Sequence, residues 1–280
     1  MLKATSIESV RNIIKQWRNQ GDRIAFVPTM GNLHAGHIKL VTEAKKQADK
    51  VVVSVFVNPT QFGEDEDFES YPRTVSEDSE KLKSVATDLL FLPSANEMYQ
   101  QNASTTVLVS GLSTMHCGAS RENHFEGVAT IVTRLFNNIQ PDVAFFGEKD
   151  FQQLLIIRTL VKDLNFPIQI IGVAIEREAD GLALSSRNNY LNKQDREIAP
   201  KLYQSLCNAK NSILSTSQNM RDIEQDQRTH LNESGFKVDY FSICRSDNLQ
   251  QANDGDTEIV ILVAAQLGKP RLIDNISFSR

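Results

Sequence analysis

Short apolar runs rich in β-branched and aromatic residues alternate with helically spaced stretches through the first part of the chain. Residues 24–27 and 51–57 form two such runs, and between them Leu40, Val41 and Ala44 recur on one helix face. The stretch IAFVPTMGNLHAGHIKLVTEAKKQADKVVVSVFV therefore predicts a βαβ unit of about 30 residues, two parallel strands joined by a crossover helix. The first strand is expected to break at Pro28. The chain then turns through Thr29, Met30, Gly31 and Asn32 and enters a helix near Leu33 and His34.

The same alternation extends in both directions. Ile7, Val10, Ile13, Ile14 and Trp17 predict an N-terminal amphipathic helix capped by Ser6. Beyond the second strand, residues 64–69 form an acidic stretch that reads as a solvated loop, and Ser76 reads as the cap of the next helix. Strands are expected over residues 88–93, 105–110 and 168–175, residues 142–150 read as a strand running into a turn with Gly147, Glu148, Lys149 and Asp150, and helices are expected over about 127–138 and 151–165. Such alternation predicts an α/β fold with a doubly wound parallel sheet, in which ligands bind at the carboxyl ends of the strands. Past Asp180 the pattern changes. Two helical stretches, about 193–213 and 220–233, precede three strand-like runs at 238–245, 257–268 and 270–279. The chain divides on this reading into residues 1–176, a doubly wound α/β domain, and residues 177–280, a smaller C-terminal α+β domain.

Composition narrows the class. The 280 residues are 40% hydrophobic and 23% charged with a net charge of −5, so no general electrostatic attraction to nucleic acid or anionic membrane is expected. No apolar run approaches the roughly 20 residues of a membrane span. The first residues lack the apolar core of a signal peptide. Cys117, Cys207 and Cys244 are few, odd in number and widely spaced, which suits a reducing compartment. The expectation is a soluble cytoplasmic protein.

Candidate chemistry gathers in the loops at the predicted carboxyl edge. His34 and His37 lie three apart, on one face of a helix's first turn, where free N–H groups favour anions and imidazoles can donate to phosphate. Gly31 and Gly36 keep that surface bare. The turn matches neither GxxxxGK[ST] nor GxGxxG. Its His-x-Gly-His pattern resembles that of the nucleotidylyltransferases and class I aminoacyl-tRNA synthetases; alone, it also fits one carboxylate-bound and one solvated histidine. Lys149 can reach a phosphate and Asp150 a ribose or metal, although a surface ion pair of Lys149 with Glu148 fits that segment equally. Ser185, Ser186 and Arg187 suit phosphate oxygens, or form a capped turn. Gln61 and Gln153, each just past a strand end, can bind a hydroxy acid without adding charge; singly, each also reads as a surface glutamine. His116, Cys117 and His124 lack the spacing and fourth ligand of a metal site. No nucleophile triad is in evidence.

The blocks PTMGNLHAGH, FVNPTQFG, YPRT, FFGEKDFQQ, READGLALSSRNNYL and RLIDN, in this order, closely resemble the pantoate–β-alanine ligase family. The resemblance implies a homodimer in which residues 1–176 form a Rossmann-like nucleotide-binding domain and residues 177–280 act as a lid. It also implies a reaction that uses ATP and magnesium, in which pantoate's carboxylate attacks the α-phosphate and β-alanine's amine attacks the resulting adenylate. By the same resemblance Met30, Gly31, Asn32, Leu33, His34, Ala35, Gly36 and His37 bind ATP, with His34 and His37 on its phosphates and His37 at the catalytic centre. Gly147, Glu148, Lys149, Asp150, Leu184, Ser185, Ser186 and Arg187 complete the ATP site, Lys149 on phosphate and Asp150 on ribose, with the backbone near Glu176 at adenine. Gln61 and Gln153 would clamp pantoate, and Gln61 would also meet β-alanine. The chain departs from the family where Arg-Pro-Gly-His-Phe is usual, reading Arg121-Glu122-Asn123-His124-Phe125, and at Asn32, where a small residue is common. Two rivals remain: another nucleotidylyltransferase or small synthetase, and a catalytically silent module that senses ATP.

Overall fold

The computed structural model describes residues 1–63, 66, 68–101, 103–216 and 218–280. Glu64, Asp65 and Asp67 of the acidic stretch lie outside the described residues. The chain groups into two compact units, Met1–Glu148 with Gln153–Ala174, and Lys149–Gln152 with Ile175–Arg280.

The first unit runs β1 (Leu2–Ala4), α1 (Ile7–Asn19), β2 (Ile24–Thr29), α2 (Ala35–Lys45), β3 (Lys50–Val55), α3 (Val75–Ser84), β4 (Leu89–Phe91), α4 (Ala95–Met98), α5 (Cys117–Ser120), α6 (His124–Ile139), β5 (Val143–Gly147), α7 (Phe151–Asp163) and β6 (Gln169–Val173). Its six strands lie in the order β1-β4-β3-β2-β5-β6, every neighbour parallel. Strand order reverses at β2, because β3 and β4 lie on one side of it and β5 and β6 on the other. Crevices that bind ligands open at such a switch point, and the His34–His37 turn leaves β2 there. Ala25, Val27, Val51, Val53, Leu90, Val143 and Phe145 form one buried face, on which Leu40, Val41 and Ala44 of α2 pack as their spacing predicts. Fully burying each large side chain contributes roughly 1.5–3 kcal/mol.

The structure corrects several expectations. β2 does not break at Pro28 but continues to Thr29, with Pro28 opposite Ser54. Pairing with β5 involves only Ala25 and Phe26, so the last turn of the strand can carry a residue without an N–H. Residues 105–110 are not a strand: the Val107 N–H donates to Thr130 Oγ1 (2.8 Å) instead of a ladder, and Leu108 is exposed. The N-terminal helix begins after Ser6 as expected, but Leu2–Ala4 form an edge strand beside β4. The cap position of α3 is Thr74, not Ser76.

The second unit holds α8 (Lys193–Ile198), α9 (Lys201–Ser215), α10 (Met220–Glu233) and an antiparallel sheet of β7 (Lys237–Arg245), β8 (Glu258–Gln266) and β9 (Arg271–Ser279). The single helix expected over about 193–213 is two helices. Pro200 sits at the cap of α9, and a residue without an N–H cannot continue an existing helix. Leu202, Leu206, Ala209, Ile223 and Leu231 of the helices bury against Phe241, Ile243, Ile259, Ile261 and Val263.

Candidate active site

The turn after β2 is built from two consecutive residues in the left-handed region, Gly31 (φ 86°) and Asn32 (φ 50°). A Cβ on Gly31 would lie 2.9 Å from Val55 Cγ1, so glycine is required for both backbone and space. Asparagine is among the residues that tolerate this conformation, which accounts for Asn32 where a small residue is usual. Leu33 plugs into the core, and His34 becomes the N-cap of α2 with extended backbone. His37, at the third helical position, accepts the His34 N–H on its Nδ1 (3.3 Å), and the two rings lie 4.1 Å apart. In a neutral His37 ring, an accepting Nδ1 places the proton on Nε2. Ala35 and Gly36 supply the first N–H groups of the helix.

The turn joins a second cluster through Met30, whose Sδ accepts from Gln61 Nε2 at 3.1 Å. Gln61 closes a 3-10 turn, Pro59–Gln61, and is buried. Its Oε1 accepts from Asn58 Nδ2 (3.1 Å), which also donates to the Gly127 carbonyl (3.1 Å). Asn58 Oδ1 in turn accepts from Tyr99 Oη (2.7 Å), and burial pushes the Tyr99 phenol above its ordinary value. Asn58 and Tyr99 were not singled out from the sequence. Asn58 lies inside FVNPTQFG and could have been found there, whereas Tyr99 is 41 residues away and carries no local signal.

α6 approaches this turn so closely that a Cβ on Gly127 would lie 2.4 Å from the Thr60 carbonyl oxygen. The helix starts three residues earlier than expected, at His124. Its cap Asn123 is left-handed (φ 59°), the conformation a glycine at that position would supply. The loop therefore closes without the family's Pro-Gly pair. His124 Nδ1 lies 2.8 Å from the Gln61 carbonyl and Nε2 lies 2.9 Å from Arg121 Nη1. With Nε2 accepting, the Nδ1–H donates to Gln61. Both ring nitrogens thus face protein groups, and among the described residues no group of three or more His, Cys, Asp or Glu could hold a metal. Arg121 grips both carboxylate oxygens of Glu66 at 2.6 Å. Partial burial pushes Glu66 up, but Arg121's hydrogen bond and charge outweigh it and hold the carboxyl below its ordinary range.

The remaining candidates follow β5 and begin the second unit. Gly147 ends β5, Glu148 opens the 3-10 turn Glu148–Asp150, and Gln153 lies on the first turn of α7, half-buried. Within the second unit, the Lys149 carbonyl accepts from Asn275 Nδ2 at 2.9 Å. Lys149, Ser185, Asn188 and Asp274 line one cavity of about 10 Å³, room for a single water at most. Arg177 clamps Asp274 with two bonds (2.7 and 2.9 Å) and stacks on Tyr203, its guanidinium 3.7 Å from the ring centroid. Ser185 caps the 3-10 turn Ser186–Tyr190 by accepting the Arg187 N–H (3.2 Å). Capping uses only the Ser185 oxygen, so its hydroxyl proton remains a donor. The Glu176 carbonyl is taken by the Leu184 N–H (2.9 Å).

A parallel sheet whose order reverses at the strand carrying His-x-Gly-His belongs to the nucleotide-binding α/β class, with a site suited to phosphate chemistry. The model of the pantoate-β-alanine ligase family matches residues 3–277, and the chain belongs to that family. It is 50% identical to pantothenate synthetases of Alteromonas mediterranea (98% of both chains) and Alcanivorax borkumensis (100% of this chain, 98% of that one). A crystal structure of pantothenate synthetase from Thermus thermophilus matches with TM-score 0.93 at 40% identity, covering 99% of each chain. The Francisella tularensis pantoate-β-alanine ligase, solved with β-γ ATP and β-alanine, matches with TM-score 0.83 at 36% identity over 99% of this chain and 97% of that one.

Proposed function

We propose that the chain joins pantoate to β-alanine in an ATP-dependent reaction, through a pantoyl adenylate, releasing pyrophosphate and AMP. Family membership and the ATP- and β-alanine-bound relative support the overall ligation. The observation that carries the site is the His34–His37 pair at the head of α2, tied through Met30 to the buried Gln61 amide. One end of that constellation suits phosphate and the other a hydroxy acid.

A carboxylate and an amine do not condense in water unless the carboxylate gains a leaving group. Attack of pantoate's carboxylate on the α-phosphate supplies one. Charge then builds on the α-phosphate and on departing pyrophosphate, where preorganised donors act most strongly. His37 Nε2–H, His34, Lys149, Ser185, Ser186 and Arg187 would provide them. Asp150 would hold the ribose, and the backbone beside Glu176 would meet adenine. Gln61 and Gln153 would orient pantoate, and orientation of the amine accounts for much of the second step. Magnesium fits as an ion carried on the ATP phosphates, adding charge stabilisation there. No protein nucleophile is required.

The lid role of residues 177–280, a homodimer and a cytoplasmic location complete the proposal. Cys117, Cys207 and Cys244 are not joined in disulfides, and burial pushes the Cys244 thiol up to about 12, so it stays protonated. No helix among the described residues is long and apolar enough to cross a membrane. The direct test is AMP formation from ATP, pantoate and β-alanine with each omitted in turn. AMP should require all three for multiple turnovers. Sustained AMP formation without pantoate would contradict the assignment, as would none from the complete mixture.

A further inference from the structure

α3 carries a group that no ligand role requires. Asp78 is fully buried, and its two oxygens accept from the Leu33 N–H (Oδ1, 2.7 Å) and the Asn32 N–H (Oδ2, 2.9 Å). Thr74 Oγ1 also donates to Oδ2 (3.2 Å). One turn further along the helix, Lys81 Nζ donates to the Leu33 carbonyl (2.6 Å). Three backbone polar groups of the turn, Asn32 N–H, Leu33 N–H and Leu33 C=O, are thus gripped by side chains 45 to 48 residues away.

The grip falls where the backbone is least willing. Gly31 and Asn32 are both left-handed, and for an L-residue that conformation costs about 1–2 kcal/mol. Such geometry persists when its surroundings over-determine it. The very next residue is His34. We propose that Asp78 and Lys81 are positioning residues for ATP: they hold the turn so that His34, His37 and the first N–H groups of α2 point together at phosphate. The inference rests on the reading of this turn as the ATP-phosphate site.

Two opposing physical effects make the role separable from plain electrostatics. A buried carboxylate behind an anion site repels the anion, so its charge alone weakens ATP binding. If charge were what mattered, Asp78→Asn would lower the KM for ATP. If positioning matters, the same change raises it, because an amide keeps one acceptor oxygen but sets an NH2 where the second N–H needs an acceptor.

The experiment compares Asp78→Asn, Lys81→Met and His37→Ala by steady-state kinetics and thermal unfolding. Asp78→Asn should raise the KM for ATP about tenfold or more, as loss of one charge-assisted hydrogen bond implies, with the KM for pantoate within about twofold. Lys81→Met keeps the stem, removes only the donor, and should raise the KM for ATP about threefold without lowering the melting temperature. If Asp78→Asn does not fold, Lys81→Met decides. A KM for ATP that falls or stays unchanged in the folded variants overturns the proposal, as does an equal rise for every substrate. An active His37→Ala enzyme would instead overturn the underlying site reading.

Discussion

Two arginines, one in each unit, are clamped on both oxygens of a carboxylate that is at least partly buried, and the two pairs behave oppositely. In the first unit Arg121 grips Glu66, whose side chain is 25% exposed; in the second Arg177 grips Asp274, only 2% exposed. Arginine exposure is 18% in both, so the carboxylate's depth makes the difference. Burial raises Asp274 above its ordinary value despite Arg177, whereas Arg121 overcomes burial and lowers Glu66. The shallower pair serves a loop beside the candidate site. The deeper one holds β9 to the segment that carries Arg177, next to the Asn275–Lys149 bond. Ion pairs of one chemistry thus act as a surface latch in one place and as an internal strut in the other.

The strut should break hardest. Arg177→Met leaves the Asp274 carboxylate buried without its partner, which typically costs about 3–5 kcal/mol. Denaturant unfolding of the variant should show that loss, and a change below 1 kcal/mol would mean that Asp274 is protonated or rehydrated. In the first unit the largest effect should be on chemistry instead. His37→Ala should slow adenylation by two or more orders of magnitude, roughly 2.7–4 kcal/mol for one lost transition-state donor, with unfolding unchanged. Pyrophosphate release near the parent rate would remove His37 from the catalytic centre. Gly127→Ala forces α6 off the Thr60 carbonyl and should cost about 1–3 kcal/mol of stability. Because Asn58 and Gln61 move with that turn, the KM for pantoate should rise more than that for ATP.

Arg121→Met should be the mildest, about 1 kcal/mol or less, since Glu66 can rehydrate. The pH dependences have opposite signs. Glu66 is depressed when folded, so its contribution is present above the ordinary value of 4.5 and lost as pH falls through the folded value. Asp274 is raised, so its contribution is present below the ordinary value of 3.8 and lost as pH rises through the folded value. Arg121→Met should therefore flatten the acid limb of the stability profile, and Asp274→Asn should flatten the opposing slope at higher pH.

What the sequence made legible was local. His-x-Gly-His and the Lys149–Asp150 turn are each a strand end, a turn and a helix start, and their chemistry is written in adjacent residues. Partners from distant positions were not legible. Asp78 reads as one more acid in a polar helix, and only the folded turn shows it accepting two N–H groups. Arg177 and Asp274 are 97 residues apart, and Glu66 and Arg121 are 55 apart. Local rules also misled where tertiary pairing overrode them: Pro28 stays in its strand because β5 has already parted from it, and residues 105–110 exchange a ladder for one side-chain bond.

Transfer of oxygen tests the central claim, activation of a carboxylate as an acyl adenylate at the His34–His37 turn, most directly. Pantoate labelled with oxygen-18 in its carboxylate is turned over with ATP and β-alanine, and the products are weighed by mass spectrometry. The nucleophilic carboxylate oxygen stays on the phosphorus it attacked, so one labelled oxygen should appear in AMP and none in pyrophosphate. Label in inorganic phosphate with ADP as the nucleotide product would mean an acyl phosphate formed at the γ-phosphate, and would contradict the mechanism.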